Sequence, residues 1–196
     1  MKKLFVMLMC VYGVWGFADD AVNFLKSLEG IVKRNGMHVV YDDANPKNTY
    51  WDGKESYEDF AKRCKGKPTI GYGFTAKNMV KKCAITDKEA DEHLVIIIKR
   101  IRERMSKDIK VSLNSNQEIA IIAFIYNVGY ANFLSSTLLK KLNNKDYIGA
   151  SKEFIRWHFT TVNGRKVVSK GLVNRRFKEK TMFMKNYKPQ RGIAYE

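Results

Sequence analysis

Residues 115–129, with the sequence SNQEIAIIAFIYNVG, decide the fold of this chain. From Ile119 to Ile125 nearly every side chain is apolar, so a helix formed here has no polar face and has to be buried on all sides. The preceding Ser115-Asn116-Gln117-Glu118 pattern is typical of a capped helix start, and Gly129 predicts the end of the helix. We expect this segment to be the central helix of a helical lobe.

Capping residues mark several further helices. Thr86-Asp87-Lys88-Glu89 has a capping-box pattern, which predicts a long helix over about residues 86–108. Near the N-terminus, Asp19 or Asp20 can cap a helix that ends close to Glu29. Shorter helices are expected over residues 136–142, 146–157 and 172–186, and the dipeptide Asn163-Gly164 predicts a turn between the last two.

Between the first two helices the pattern changes to that of strands and turns. Residues 37–41 and 69–74 read as strands, separated by a polar stretch. We interpret Gly71 and Gly73 as tight backbone turns. The chain is therefore predicted to have an α+β fold with three parts. These are a small N-terminal lobe with a short antiparallel sheet (residues 19–85), a long connecting helix (86–108) and a larger α-helical C-terminal lobe (109–190).

The N-terminal residues indicate export. Lys2 and Lys3 precede an apolar run that ends with small residues before Asp19, as in a signal peptide. We predict that residues 1–18 are the export segment and that residues 19–196 form the functional domain in the periplasm or outside the cell. The run is shorter than the roughly 20 residues that span a bilayer, which favours cleavage, although a releasable anchor with transient membrane contact stays open.

The charge and the cysteines limit the class of partner. The formal net charge of +16 favours polyanions, which outside the cytoplasm are the bacterial cell wall and anionic membranes and inside it are nucleic acids. The export segment favours the wall over nucleic acid. Cys64 and Cys83 remain after residue 18, and both a disulfide and two separate thiols fit the sequence. The histidines show no metal-ligand spacing, so we predict neither a metal site nor a cofactor.

Several segments resemble, in the same order, the active-site frame of glycoside hydrolase family 24, which contains the phage lysozymes and endolysins. The resemblance covers nearly everything after Asp20, and it implies a lysozyme-like fold and a monomer. The segments that carry it include Leu28-Glu29-Gly30, Tyr41-Asp42-Asp43, residues 66–73, residues 113–117, residues 124–129 and residues 171–176.

The resemblance implies a lysozyme that hydrolyses the β-1,4 bond between N-acetylmuramic acid and N-acetylglucosamine in bacterial peptidoglycan, with inversion. Residue by residue, it implies that Glu29 is the general acid, that Asp43 is the base and that Thr69 positions the attacking water. The spacing from Glu29 to Asp43 and Thr69 is longer than in compact members of the family. Asp42 and Asp52 therefore remain alternatives for the base.

Two residues of the helical lobe match substrate-cleft positions of the family. Asn127 is expected to hydrogen-bond the sugar, and Arg175 to hold Glu29 or the substrate through its planar guanidinium. A purely structural role stays open for both.

Other function classes remain as alternatives. One is a catalytically silent cationic protein that binds the wall or perturbs membranes, since a fold does not guarantee its activity. Another is a lytic transglycosylase on the same frame, which needs an acidic Glu but no partner Asp. A basic nucleic-acid-binding domain is disfavoured by the export segment and by the lack of a nucleic-acid-binding motif.

Overall fold

The structure, a computed structural model, describes residues 16–162 and 164–188 and divides into two compact units. Leu25–Ile97 form one unit, and the described parts of Met1–Phe24 and Ile98–Glu196 form the other. Most of the predicted export segment lies outside the described residues. Within them, no helix combines the length and the apolar character that crossing a membrane requires.

The unit of Leu25–Ile97 contains short strands, short helices and the start of one long helix. A helix over residues 16–26 (α1) leads into this unit. The strands are β1 (Lys33–Arg34), β2 (Met37–Val39), β3 (Tyr41–Asp42), β4 (Pro68–Thr69) and β5 (Ala84–Ile85). The helices are α2 (Tyr57–Arg63), α3 (Lys77–Val80) and the first part of α4 (Asp87–Asp108).

The strands of this unit form two small antiparallel sheets. In one, β2 lies between β1 and β5, and in the other β3 pairs with β4. A further hairpin is closed by mutual backbone hydrogen bonds of 2.9 Å between Ile70 and Phe74. Gly71, at its turn, has a positive φ of 62°, and a Cβ there would lie 2.6 Å from the Phe74 ring. The predicted tight turn is therefore confirmed, and only glycine fits it.

The other unit is helical apart from one hairpin. Its helices after α4 are α5 (Ser115–Val128), α6 (Tyr130–Leu134), α7 (Thr137–Asn143), α8 (Tyr147–Glu153) and α9 (Lys170–Met184), with a 3-10 turn at Phe154–Arg156. The hairpin consists of β6 (Phe159–Val162) and β7 (Arg165–Val168). The predicted α+β fold is thus confirmed.

Helix α5 is the centre of this unit, as its sequence predicts. Ile119 to Ile125 are all buried, and burying one such isoleucine contributes about 1.5–3 kcal/mol. The Phe124 and Phe154 rings lie 5.2 Å apart, and Phe154 lies 5.5 Å from Phe183 of α9. These edge and tilted contacts join α5 to the helix that carries Arg175.

The structure corrects three local predictions. The cap of α5 is Asn114 with Gln117, one residue before the predicted pair, because their side chains and backbone N–H groups bond reciprocally. Helix α8 ends at Glu153, short of the predicted residue 157. The strands β6 and β7 were not predicted from the sequence; Gly164 lies in the turn between them, while Asn163 of the predicted turn lies outside the described residues. Cys64 and Cys83 are both free thiols.

His38 of β2 is a titratable group with no exposed surface. Its Nε2 atom lies 2.8 Å from Asp87 Oδ1, and its ring meets the Tyr72 ring edge-on at 5.1 Å. Burial lowers the pKa of His38 below its ordinary value, and the Lys33 ammonium lowers it further, against the opposing effect of Asp87. The folded state therefore holds the imidazole in its neutral form more strongly than the unfolded state does.

This burial predicts a loss of stability in mild acid. Below the unfolded pKa of about 6.5, His38 is protonated in the unfolded chain but stays neutral in the folded protein. The free energy of unfolding therefore decreases as the pH is lowered. One such group contributes a slope of at most about 1.4 kcal/mol per pH unit. Urea unfolding at several pH values between 7.5 and 5 is expected to show a smaller acid loss for His38→Gln than for the wild type. Equal losses in both proteins would contradict this.

Candidate active site

The β3–β4 pair positions two of the predicted catalytic residues. Tyr41 pairs with Thr69 across the strands, and both are buried. Because side chains alternate along a strand, Tyr41 and Asp43 share one face while Asp42 points to the other. Asp43 continues the pairing, since its N–H donates to the Lys67 carbonyl at 3.2 Å. Asp43 and Thr69 are thus diagonal neighbours on one face.

Asp42 is buried, and three backbone N–H groups donate to its carboxylate. Lys65 N donates to Oδ2 at 2.8 Å, while Gly66 N and Ala44 N donate to Oδ1 at 2.8 and 3.0 Å. Burial alone would raise the pKa of Asp42, but these donors outweigh it and lower the pKa. The geometry therefore favours a structural role for Asp42, in which it anchors the far end of the long loop.

Asp43 is exposed, in contrast to its neighbour. Its Oδ1 atom accepts one hydrogen bond, from the Lys67 N–H at 2.6 Å. The Lys67 carbonyl accepts from both the Asp43 N–H and the Thr69 hydroxyl, the latter at 3.0 Å. The backbone of Lys67 is therefore hydrogen-bonded to both Asp43, the predicted base, and Thr69, the predicted water-positioning residue.

Glu29 lies in the turn that follows α1 and is half-buried. Its N–H donates to the Leu25 carbonyl at 3.2 Å, which continues the last turn of the helix. Burial raises the pKa of the Tyr41 phenol to about 12, and the negative charges of Glu29 and Asp43 both contribute to this rise. Two of the three predicted catalytic groups therefore lie close to one neutral phenol.

Asp52, the second alternative for the base, belongs to an exposed turn. Its Oδ1 atom accepts from the Lys54 N–H at 3.1 Å, and its Oδ2 atom lies 3.3 Å from the Lys54 ammonium. The Lys54 N–H lowers the pKa of Asp52, and the Lys54 side chain adds to this effect. Asp52 makes the contacts of an ordinary turn residue.

The two predicted substrate-binding residues belong to the other unit. Asn127 lines a cavity of about 800 Å³ formed by residues of that unit. Arg175 is buried, and its Nε donates to Glu179 at 3.0 Å while its Nη2 donates to the Ala123 carbonyl at 3.3 Å. The expected contact of Arg175 with Glu29 or the substrate stays a prediction.

Sequence reasoning missed the residues that support the site. Tyr41 is part of the segment Tyr41-Asp42-Asp43, but nothing in the sequence pattern indicated that its side chain lies near both Glu29 and Asp43. Lys67 acts through its backbone, which no side-chain pattern reveals. Arg176 and Glu179 lie behind Asn127, and the doublet Arg175-Arg176 was the available signal for them.

The arrangement suits acid–base chemistry. One carboxyl group is half-buried near a phenol, and a second is exposed beside a hydroxyl whose proton is already donated. Within residues 16–162 and 164–188, no three His, Cys, Asp or Glu side chains are grouped closely enough to hold a metal ion. Carboxyl groups in such surroundings can donate and accept protons.

Comparisons with known proteins agree with this description. Residues 51–179 match the family model described as phage lysozyme. The chain is 42% identical over 118 residues, 60% of its length, to an endolysin of Acyrthosiphon pisum secondary endosymbiont phage 1, of which it covers 80%. It is also 39% identical over 115 residues, 59% of its length, to an endolysin of Bacillus phage PZA, but covers only 43% of that protein.

The fold has solved relatives as well. An endolysin from Escherichia coli O157:H7 phage FAHEc1 superposes with a TM-score of 0.67 and 25% identity, covering 87% of this chain and 94% of that one. Fold and comparisons together define a glycosidase that degrades peptidoglycan. The chain belongs to the phage lysozyme family. The family match begins after Glu29 and Asp43, so the roles of these two residues stay predictions.

Gly66 provides a test of how the loop holds Asp43. A Cβ at this position would lie 1.9 Å from Asp43 Oδ1 and 2.8 Å from Asp42 Oδ1, so Gly66→Ala has to displace both carboxylates. We expect a loss of about 1–3 kcal/mol in the free energy of unfolding, together with lower lytic activity. Urea unfolding and peptidoglycan turbidity measure the two effects.

Gly171→Ala is the matched control, because the nearest atom to an added Cβ there is Ser169 Oγ at 3.8 Å. The control is expected to keep both its stability and its activity. A Gly66→Ala variant that behaves like Gly171→Ala would show that the loop does not depend on this close approach.

Proposed function

We propose that the chain is an N-acetylmuramidase that hydrolyses the β-1,4 bond between N-acetylmuramic acid and N-acetylglucosamine in peptidoglycan, with inversion at the anomeric carbon. Glu29 is the general acid, Asp43 is the base and Thr69 positions the water. The observation that carries this assignment is that Glu29 and Asp43 lie near one buried phenol, that of Tyr41: burial raises its pKa most, and the negative charges of both carboxyl groups add to the rise. Both carboxyl groups therefore lie near the same side chain.

The choice of Asp43 over its neighbours rests on hydrogen bonds. A base has to accept a proton from water, so it needs an exposed oxygen that the fold does not occupy. Asp42 is buried and receives three backbone donors, whereas Asp43 is exposed and receives one. Asp52 bonds to Lys54, and the charges that raise the pKa of Tyr41 are those of Glu29 and Asp43.

Thr69 complements Asp43 because of the direction of its own hydrogen bond. The Thr69 hydroxyl donates to the Lys67 carbonyl, so its oxygen can only accept from a bound water. A water between the two residues then donates one hydrogen to Asp43 and the other to Thr69. Its lone pair is left for the anomeric carbon, which is the orientation that attack requires.

Bond cleavage then follows the inverting scheme. Glu29 gives its proton to the glycosidic oxygen as the bond from that oxygen to the anomeric carbon breaks. The water oxygen bonds to the opposite face of the same carbon, and its proton passes to Asp43. This geometry requires the two carboxyl groups to stand about 6.5–9.5 Å apart to admit the water.

The strongly basic composition supports action at the cell wall. A net charge of +16 concentrates the protein on anionic polymers, and the export segment over residues 1–18 would deliver residues 19–196 to them. We include periplasmic or secreted action as a monomer in the proposal.

A panel of four substitutions tests the assignment. Glu29→Gln and Asp43→Asn are each expected to lower lysis of purified peptidoglycan by at least about a hundredfold, because each removes one proton-transfer group. Asp52→Asn is expected to retain activity and is the matched control for Asp43→Asn. Turbidity loss with residues 19–196 gives the rates, and thermal unfolding reports whether each variant is folded.

Asp42→Asn separates the structural carboxylate from the catalytic one. It turns an amide N–H₂ group toward backbone donors, so we expect a lower melting temperature. An active Asp43→Asn variant combined with an inactive but stable Asp42→Asn variant would move the base to Asp42. A wild-type protein that binds the wall without lysing it would instead identify the silent cationic binder.

The products provide an independent test of the reaction type. Hydrolysis leaves a reducing N-acetylmuramic acid, and inversion of a β-bond releases it first as the α-anomer. Mass spectrometry of the fragments together with proton NMR early in the reaction is expected to show both. An anhydro end would identify a lytic transglycosylase, and an initial β-anomer would contradict inversion.

A further inference from the structure

Behind Asn127 lies a cluster of charged side chains buried in the helical unit. Arg176 and Glu179 of α9 have no exposed surface, and Arg175 is 7% exposed. The Glu179 carboxylate accepts from Arg175 Nε at 3.0 Å and from Arg176 Nη1 at 2.7 Å. The second terminal nitrogen of Arg176, Nη2, donates to the side-chain carbonyl of Asn127.

This contact fixes which end of the Asn127 amide faces the cluster. A guanidinium has donors only, so the group next to it has to be the carbonyl oxygen and not the amide nitrogen. The opposite end of the amide, Nδ2, forms no hydrogen bond within residues 16–162 and 164–188, and the side chain lines the 800 Å³ cavity. Asn127 therefore meets the cavity as a hydrogen-bond donor.

We propose that Arg176 is a positioning residue, held by Glu179, that orients Asn127 to donate to an acceptor group of peptidoglycan. The inference rests on the proposed function, since it assigns the ligand chemistry of the same enzyme. The cavity is also lined by Arg156 and Lys166 and by the Glu153 carboxylate, which lies 3.6 Å from Arg156 Nε and leaves Lys166 as a further cation. Its ligand is thus a group rich in acceptor oxygens, either an N-acetyl carbonyl of the glycan or a carboxylate of the peptide stem.

Charge in the cluster separates this role from a structural one. Both arginines donate to the same glutamate, so Arg176 is held in place by Glu179 whatever residue stands at position 127. For stability alone, an aspartate at position 127 would suit Arg176 better than asparagine, because a charged acceptor strengthens the bond. Asparagine offers instead the two N–H donors that aspartate lacks, and its side chain lines the cavity.

Asn127→Asp therefore keeps the contact with Arg176 and removes only the donors. We expect an unchanged or higher melting temperature, a KM for soluble peptidoglycan raised about tenfold, and little change in kcat. Asn132→Asp is the matched control, because it adds the same charge to the same cavity at an exposed position and loses only its own bond to the Val128 carbonyl, which does not involve the cluster. Its KM is expected to rise by less than about threefold.

Arg176 itself is tested by a conservative and a disruptive change. Arg176→Lys retains a donor for the Asn127 carbonyl and is expected to keep most of the affinity, whereas Arg176→Met frees the amide to turn and weakens binding. Where Arg176→Met does not fold, Asn127→Asp still decides the question. Binding is measured by calorimetry in the Glu29→Gln background with two probes, chitotetraose and a disaccharide tetrapeptide.

The two probes distinguish the acceptor. An equal loss for both in Asn127→Asp assigns an N-acetyl carbonyl, and a loss mainly for the tetrapeptide assigns a stem carboxylate. If the wild type lyses peptidoglycan but Asn127→Asp binds both probes like Asn132→Asp, this inference fails and the proposed function stands. If the wild type neither binds nor lyses, the proposed function fails and this inference fails with it.

Discussion

The buried carboxylate of Asp42 is the constraint on which the candidate active site depends. It joins three backbone N–H groups, two of which belong to residues more than 20 positions further along the chain. Hydrogen bonds to a charged acceptor contribute about 1.5–3 kcal/mol each, so together they can hold the base of a long loop closed. The loop between these points can then vary in length at a small entropic cost.

Closing the loop at Asp42 also decides where Asp43 lies. Because successive side chains of a strand point to opposite faces, Asp43 lies on the face that also carries Tyr41 and Thr69, and there its own side chain is exposed. Lys67 can then bond to Asp43 only because Gly66 leaves room for both carboxylates. The long insertion therefore does not disturb the spacing of the two residues that would hold the water, since that spacing is a property of the β3–β4 pair.

The sequence predicted the large elements well because their signals are local. The apolar residues Ile119 to Ile125 predict a buried helix whatever packs against it. The capping residues before α4 likewise predict where that helix begins. Strands of two residues carry no periodicity, which is why β1 and β5 were missed. The exposed strands β6 and β7 lack the alternation of a half-buried sheet, so only their turn was predicted.

The candidate site was predictable as a set of segments but not as individual roles. Asp42 and Asp43 are identical and adjacent in sequence, and what distinguishes them is their contact with Lys65, Gly66 and Lys67. Arg175 and Arg176 pose the same difficulty, since only the fold shows which of them meets Asn127. The sequence alone cannot assign different roles to two identical adjacent residues, because the roles are set by contacts with residues far away along the chain.

Hydrogen-bond capacity provides the physical criterion that separates the members of such pairs. A carboxylate has about four acceptor positions, and Asp42 directs three of them to the backbone while Asp43 directs one. Thr69 has used its donor and keeps its acceptor, whereas Asn127 has used its acceptor and keeps its donors. A group whose capacity the fold has filled stabilises the structure. A group that has no hydrogen-bond partner within the fold is expected to bond to a water or a ligand, because leaving a hydrogen-bonding group unsatisfied costs free energy.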